Sequence, residues 1–132
     1  MNKDAVKFLE ALARDMREDE RIILCGVPGD PGAAPPHAWK PRPWRIGYDG
    51  HEFSETWNGY VSVSAFNQSE DKTFRRRAAD IAAGLAFMVD DVGTKVPREL
   101  VQDLPPSAII ETSPGNEQWW YFLTEPARDI PA

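Results

Sequence analysis

Apolar residues recur at helical spacing near the amino terminus, where Ala5, Phe8, Leu9, Leu12, Ala13 and Met16 follow Asn2 or Asp4 as a cap. The pattern predicts one amphipathic helix whose stripe packs on a core. Arg14-Asp15 and Arg17 to Arg21 are polar and read as a solvated face and turn, and Ile22, Ile23, Leu24 and Cys25 read as a short buried strand ended by Gly26 and Pro28. Residues 26–43 gather most of the prolines and predict a long exposed loop. After a turn-rich stretch from Tyr48 to Asn58, residues 59–66 alternate as one strand with Ser62 and Ser64 on its polar face. Thr73 is placed to cap a second helix over residues 74–83. Leu85-Ala86-Phe87-Met88-Val89 reads as a strand buried on both faces, and it stops at Asp90-Asp91-Val92-Gly93-Thr94-Lys95. Pro97 starts a short helix over 98–104, which Pro105 and Pro106 end. Residues 107–112 and 118–123 form the clearest hairpin, turning at Ser113-Pro114-Gly115-Asn116, with Glu111 and Ser113 on one face and Gln118 and Trp120 sharing another.

Charge placed at the tip of a buried strand makes Asp90 and Asp91 the leading candidate site. Alternation aims adjacent side chains at opposite faces, so the two carboxylates can share one ion only where the strand has broken, and Gly93 offers a place for the backbone to turn. A turn that merely closes the strand explains the same residues.

Composition narrows the classes. The chain has 132 residues, which suits a single domain. Its one cysteine, Cys25, ends an apolar run and reads as a small buried residue, so a disulfide within the chain is excluded. No apolar stretch reaches membrane-spanning length and the amino terminus does not read as a signal peptide, so a cytoplasmic setting with no membrane partner is expected. The net charge of −6 runs against a surface that grips nucleic acid. Two basic clusters remain. Lys40, Arg42 and Arg45 alternate with Trp39, Trp44 and prolines, a pattern that can stack bases and pair phosphates, or that can pin the loop while the cations stay in water. Arg75, Arg76 and Arg77 fall at the start of the expected second helix, where they oppose its dipole. Contact with an anion would account for them, and so would a solvated face. His37 and His51 stand alone and read as surface residues.

Phe87-Met88-Val89-Asp90-Asp91-Val92-Gly93-Thr94-Lys95-Val96-Pro97, followed by Glu111-Thr112-Ser113-Pro114-Gly115-Asn116-Glu117-Gln118-Trp119, resembles the RepB-like primases of phages and plasmids, in the archaeo-eukaryotic primase superfamily. Pro28-Gly29-Asp30-Pro31 and Trp39-Lys40-Pro41-Arg42-Pro43-Trp44 extend the resemblance towards the amino terminus. It implies an α+β domain, an antiparallel sheet with two main helices, forming half of an RRM-like primase-polymerase core. It also implies that Asp90 and Asp91 stand at the metal-binding catalytic motif, with adjacent aspartates where relatives have D-x-D, and that Mg²⁺ or Mn²⁺ is the cofactor. Ser113, Gly115 and Gln118, with Lys95, stand at the nucleotide-binding motif. Glutamine replaces the histidine of many relatives and cannot act as a general acid near neutral pH. The given sequence reaches Ala132 before a third acidic motif, and Glu111 on the facing hairpin is a further candidate carboxylate.

Two functions follow as expectations. One is a nucleotide- or nucleic-acid-binding protein of replication, in a phage or mobile element, descended from a primase and lacking a complete catalytic set; Arg75 to Arg77 would hold template. The other is a non-catalytic acidic phage inhibitor, anti-CRISPR-like, whose partner is a host defence complex.

Overall fold

The structure is a computed structural model and describes residues 3–48 and 57–129. Asn2 as a cap, and His51 with most of the turn-rich stretch around it, lie outside the described residues. The expected amphipathic helix is present as α1, Lys3–Leu12, with Leu9 and Leu12 buried. All strand pairing is antiparallel. Strands β1 (Ile22–Pro28), β2 (Lys40–Trp44) and β3 (Trp57–Val61) form a sheet ordered β2-β1-β3. Strands β4 (Ser64–Phe66), β5 (Ile81–Val92), β6 (Ala108–Ser113) and β7 (Asn116–Ala127) form a second, ordered β4-β5-β7-β6.

The two sheets meet where the single strand expected at 59–66 divides. The Ser62 hydroxyl accepts from the Ile23 N–H at 3.0 Å and donates to the Ser64 carbonyl at 2.8 Å. Just beyond it the Leu85 N–H donates to the Val63 carbonyl at 2.9 Å, so the chain leaves β1 and joins β5 within three residues. An Arg21–Phe66 bridge closes the other side of the junction.

The core lies between α1 and the inner face of these strands, where Leu9, Leu12, Ile22, Leu24, Trp44, Leu85 and Trp120 are buried together. Phe8 meets Trp120 edge-on at 5.0 Å and Phe122 at 5.5 Å, a geometry that aromatic quadrupoles favour. A buried ion pair ties the end of β7 to the turn ahead of β1. Arg128 donates to both oxygens of Glu20, at 2.6 and 3.2 Å, and the Arg17 N–H adds a bond of 2.8 Å.

Several expectations are corrected. Only one α-helix occurs among the described residues, because 74–77 are irregular, with a tight turn at Arg76, and a 3-10 turn at Ala78–Asp80 leads directly into β5. The sequence Ala78-Ala79-Asp80-Ile81-Ala82-Ala83 favours helix by propensity, but Ile81 and Ala83 pair with Phe66 and Ala65, and Ala83 is fully buried, so tertiary pairing overrides it. The loop expected at 26–43 shrinks at both ends, to Gly29–Trp39, because β1 continues to Pro28 and Lys40–Trp44 pairs with β1. Pro41 and Pro43 are tolerated because β2 is an edge strand, where alternate N–H groups face away from the partner. The helix expected at 98–104 is a 3-10 turn at Arg98–Leu100 followed by further turns. Finally, β5 is not buried on both faces: Phe87 is 70% exposed.

Candidate functional site at the tip of β5

The register around Asp90 and Asp91 departs from simple alternation. Val89 pairs with Trp119 and Val92 with Glu117, so two aspartates on β5 oppose the single Gln118 on β7. One extra residue on one strand is a β-bulge, a feature that re-aims side chains and recurs beside active sites. Asp91 sits in the left-handed region at φ 57°, its N–H donates to Asp90 Oδ1 at 2.8 Å, and its carbonyl accepts from the Val96 N–H at 2.9 Å. The ladder is therefore irregular at the two aspartates, although β5 itself continues to Val92.

The bulge leads into a tight turn that packs against the β6–β7 hairpin turn. Gly93 has φ 95°, and a Cβ built there would stand 2.5 Å from the Gly115 carbonyl oxygen and 3.0 Å from Arg98 Nη2. No other residue type fits that approach. The Thr94 hydroxyl bonds the Asn116 side-chain oxygen, and Asn116 Nδ2 in turn bonds the Thr112 hydroxyl at 2.9 Å. Two segments about twenty residues apart in sequence thus share one surface. Gly93→Ala is expected to cost about 2–3 kcal/mol through left-handed strain and the backbone clash, read as a lowered urea midpoint; a change under about 0.5 kcal/mol would contradict the contact.

Of the residues singled out at this end, Lys95 is highly exposed and its Nζ lies 3.8 Å from Asp91 Oδ2. Ser113 and Gly115 lie on the exposed turn, and Gly115 has φ 78°. Gln118 is half-buried, and its Oε1 accepts from Trp120 Nε1 at 3.3 Å, confirming that the two share a face. Sequence reasoning missed Arg98 and Glu117. Glu117 Oε1 accepts from Trp119 Nε1 at 3.1 Å and pairs with Arg98 at 3.2 Å, while Glu111 stands opposite Glu117 across the ladder. A lone arginine after Pro97 carried no signal, because its partner is 19 residues away in sequence.

The donor set limits what this end of the sheet can hold. Among the described residues no group of three or more metal-type side chains comes together. Lys95 and Arg98 already face Asp91 and Glu117. These residues do not fit an ion held by protein alone.

The basic clusters are dispersed. Trp44 is buried in the core and cannot stack a base, whereas Arg42 and Arg45 are exposed without an ion pair among the described residues. Lys40 is placed by its backbone pairing with Gly26. Arg75 is bound by Asp71 and the Thr73 hydroxyl, and Arg77 by Asp80 at 2.8 Å. The Thr73 hydroxyl and N–H, with Arg75, hold the Asp71 carboxyl below its usual range, as Arg77 and the Ser69 hydroxyl do for Asp80. Only Arg76 of the three lacks such a partner among the described residues. Arg75 and Arg77 are thus explained by local pairing within a loop, in place of a helix dipole opposed.

No helix among the described residues is long and apolar enough to cross a membrane. Comparison of the chain with protein-family models, curated proteins and solved structures finds no match.

Proposed function

We propose that this chain is a nucleotide-binding protein of phage or mobile-element replication, derived from a RepB-like primase, with the tip of β5 and the β6–β7 turn as the nucleotide site. The observation that carries the reading is the joining of the two segments: the bulge at Asp90–Asp91 and the turn at Ser113–Asn116 meet through Gly93 and Gly115. A four-stranded antiparallel sheet with β5 and β7 at its centre supports descent from an RRM-like half-core. In this reading Asp90 and Asp91 face a phosphate-bound Mg²⁺ or Mn²⁺, which supplies charge neutralisation, and Lys95 faces a phosphate oxygen. Ser113 and the amide of Gln118 offer hydrogen bonds to phosphate or sugar. The proposal covers binding; no transfer step is derived from two carboxylates.

Calorimetric titration with a nucleoside triphosphate and Mg²⁺ tests it. Binding is expected, and the Asp90→Ala/Asp91→Ala variant should lose at least about tenfold in affinity, since charge-assisted contacts are worth roughly 1.5–3 kcal/mol each. Equal binding by wild type and double variant would refute the site. A second reading, an inhibitor that docks on a host defence complex, draws on the exposed apolar side chains of Phe87, Leu100 and Leu104 and the net charge of −6. It predicts that the double variant keeps its full inhibitory effect and that Phe87→Ser loses it.

A further inference from the structure

Away from the β5 tip, one cation stands over a pocket without a counter-ion. The loop ahead of β5 is pinned on both sides of Arg76, by Arg75 to Asp71 and by Arg77 to Asp80, and Ser69 anchors Asp80 from its buried position with a bond of 2.9 Å. Arg76 itself is exposed, makes no ion pair among the described residues, and lines a pocket of about 230 Å³ with Ile23, Cys25, Tyr60 and Ser64. Ile23 and Cys25 are fully buried and close its floor. Tyr60 pairs with Cys25 across β1 and β3, is 43% exposed, and meets the Trp39 ring at 5.4 Å.

We propose that Arg76 and Tyr60 form a subsite for one nucleotide unit of a single-stranded nucleic acid, with the phosphate on the Arg76 guanidinium and a base on the exposed Tyr60 ring. Two separate segments supply it, a β3 side chain and the loop before β5, while Trp39 ahead of β2 backs the Tyr60 ring. An aromatic face beside a cation is the pairing by which sequence-tolerant single-strand binders hold a base and its phosphate. The volume is below the roughly 300 Å³ at which sites for drug-sized molecules begin, so the pocket takes the phosphate end of the unit while its base lies outside on the exposed part of the Tyr60 ring. The Ser64 hydroxyl makes no hydrogen bond among the described residues and adds a donor at the pocket wall. Asp71 and Asp80, two of the three carboxylates of this loop, are paired with Arg75 and Arg77, and the third, Glu70, is exposed and acts electrostatically on Arg77. An acidic peptide would find one unpaired cation at this pocket among the described residues and no series of them.

The subsite does not depend on the nucleotide reading of the β5 tip, and its test leaves that tip out. Fluorescence anisotropy of a labelled oligothymidylate of about ten nucleotides is followed in EDTA, without nucleotide, on the full chain at low salt. Wild-type protein is expected to bind. Arg76→Gln should weaken binding by about fivefold or more and reduce the slope of log affinity against log salt by about one, with the melting temperature unchanged. Tyr60→Leu should cost about tenfold with a smaller change in that slope. Unaltered affinity and slope in Arg76→Gln, no binding by wild-type protein, or displacement of the oligonucleotide by an equal concentration of an acidic peptide would each overturn the proposal.

Discussion

Trp120→Ala is expected to lower the free energy of unfolding by about 4 kcal/mol, a large share of the roughly 5–15 kcal/mol that holds a domain of this size together. Trp120 is the largest fully buried side chain among the described residues, sits on the central strand β7 between Met88 and Ala108, and receives the edge contact of Phe8. Truncation removes its own burial and the seat for α1 together, and β5 and β7 resist closing the space because their backbones are paired on both sides. Trp120→Phe separates packing from polarity. It keeps most of the ring but leaves Gln118 Oε1 without its donor, so a smaller loss of about 1–2 kcal/mol is expected. Chemical denaturation of the two variants checks both values, and equal losses would mean that packing is not the dominant part.

Arg128→Ala is expected to cost about 3 kcal/mol at neutral pH, because it strands the buried Glu20 carboxylate rather than simply deleting a contact. Burial by itself raises the Glu20 pKa. The Arg128 guanidinium and the Arg17 N–H outweigh it and hold the carboxyl below its ordinary value of 4.5. A carboxylate lowered on folding contributes stability above its unfolded pKa and loses it as pH falls through the folded one. The gap between wild type and Arg128→Ala should therefore be widest at neutral pH and narrow as acid protonates Glu20, first in the variant, where burial acts unopposed by Arg128, and then in both proteins. Glu20→Gln, which keeps an acceptor for the Arg17 N–H and carries no charge, should cost less than Arg128→Ala. Melting temperatures measured between pH 3 and 7 give both results, and a gap independent of pH would show that Glu20 is not the group responsible.

The parts of the fold legible in the sequence are those whose pattern is local. The stripe from Ala5 to Ala13 specifies α1, and the apolar runs on either side of Ser113-Pro114-Gly115-Asn116 specify β6 and β7 because the turn itself sets their register. Pairing at long range was not legible. Lys40–Trp44 is rich in proline and reads as loop until β1 is available to accept it as an edge strand. Residues 74–83 read as helix because alanine propensity is a local quantity, whereas the pairing of Ile81 and Ala83 with β4 is not.

At the candidate site, Asp90 and Asp91 stood out as charge at the end of an apolar run, and the structure adds the bulge that exempts them from alternation. Gly93 looked like a turn residue; its closer constraint, the approach of the Gly115 carbonyl, needs both turns in place. Arg98 and Glu117 were invisible because each is unremarkable until paired with the other. The arginine run misled in the opposite direction, since two of its three cations serve their own loop.

The most direct measurement is a set of backbone amide NMR spectra recorded while a nucleoside triphosphate with Mg²⁺ is added to the ¹⁵N-labelled chain. The proposed site predicts shifts concentrated at residues 90–95 and 113–118, saturating together and absent in Asp90→Ala/Asp91→Ala. Shifts that spare both segments, or that persist unchanged in the double variant, would contradict it.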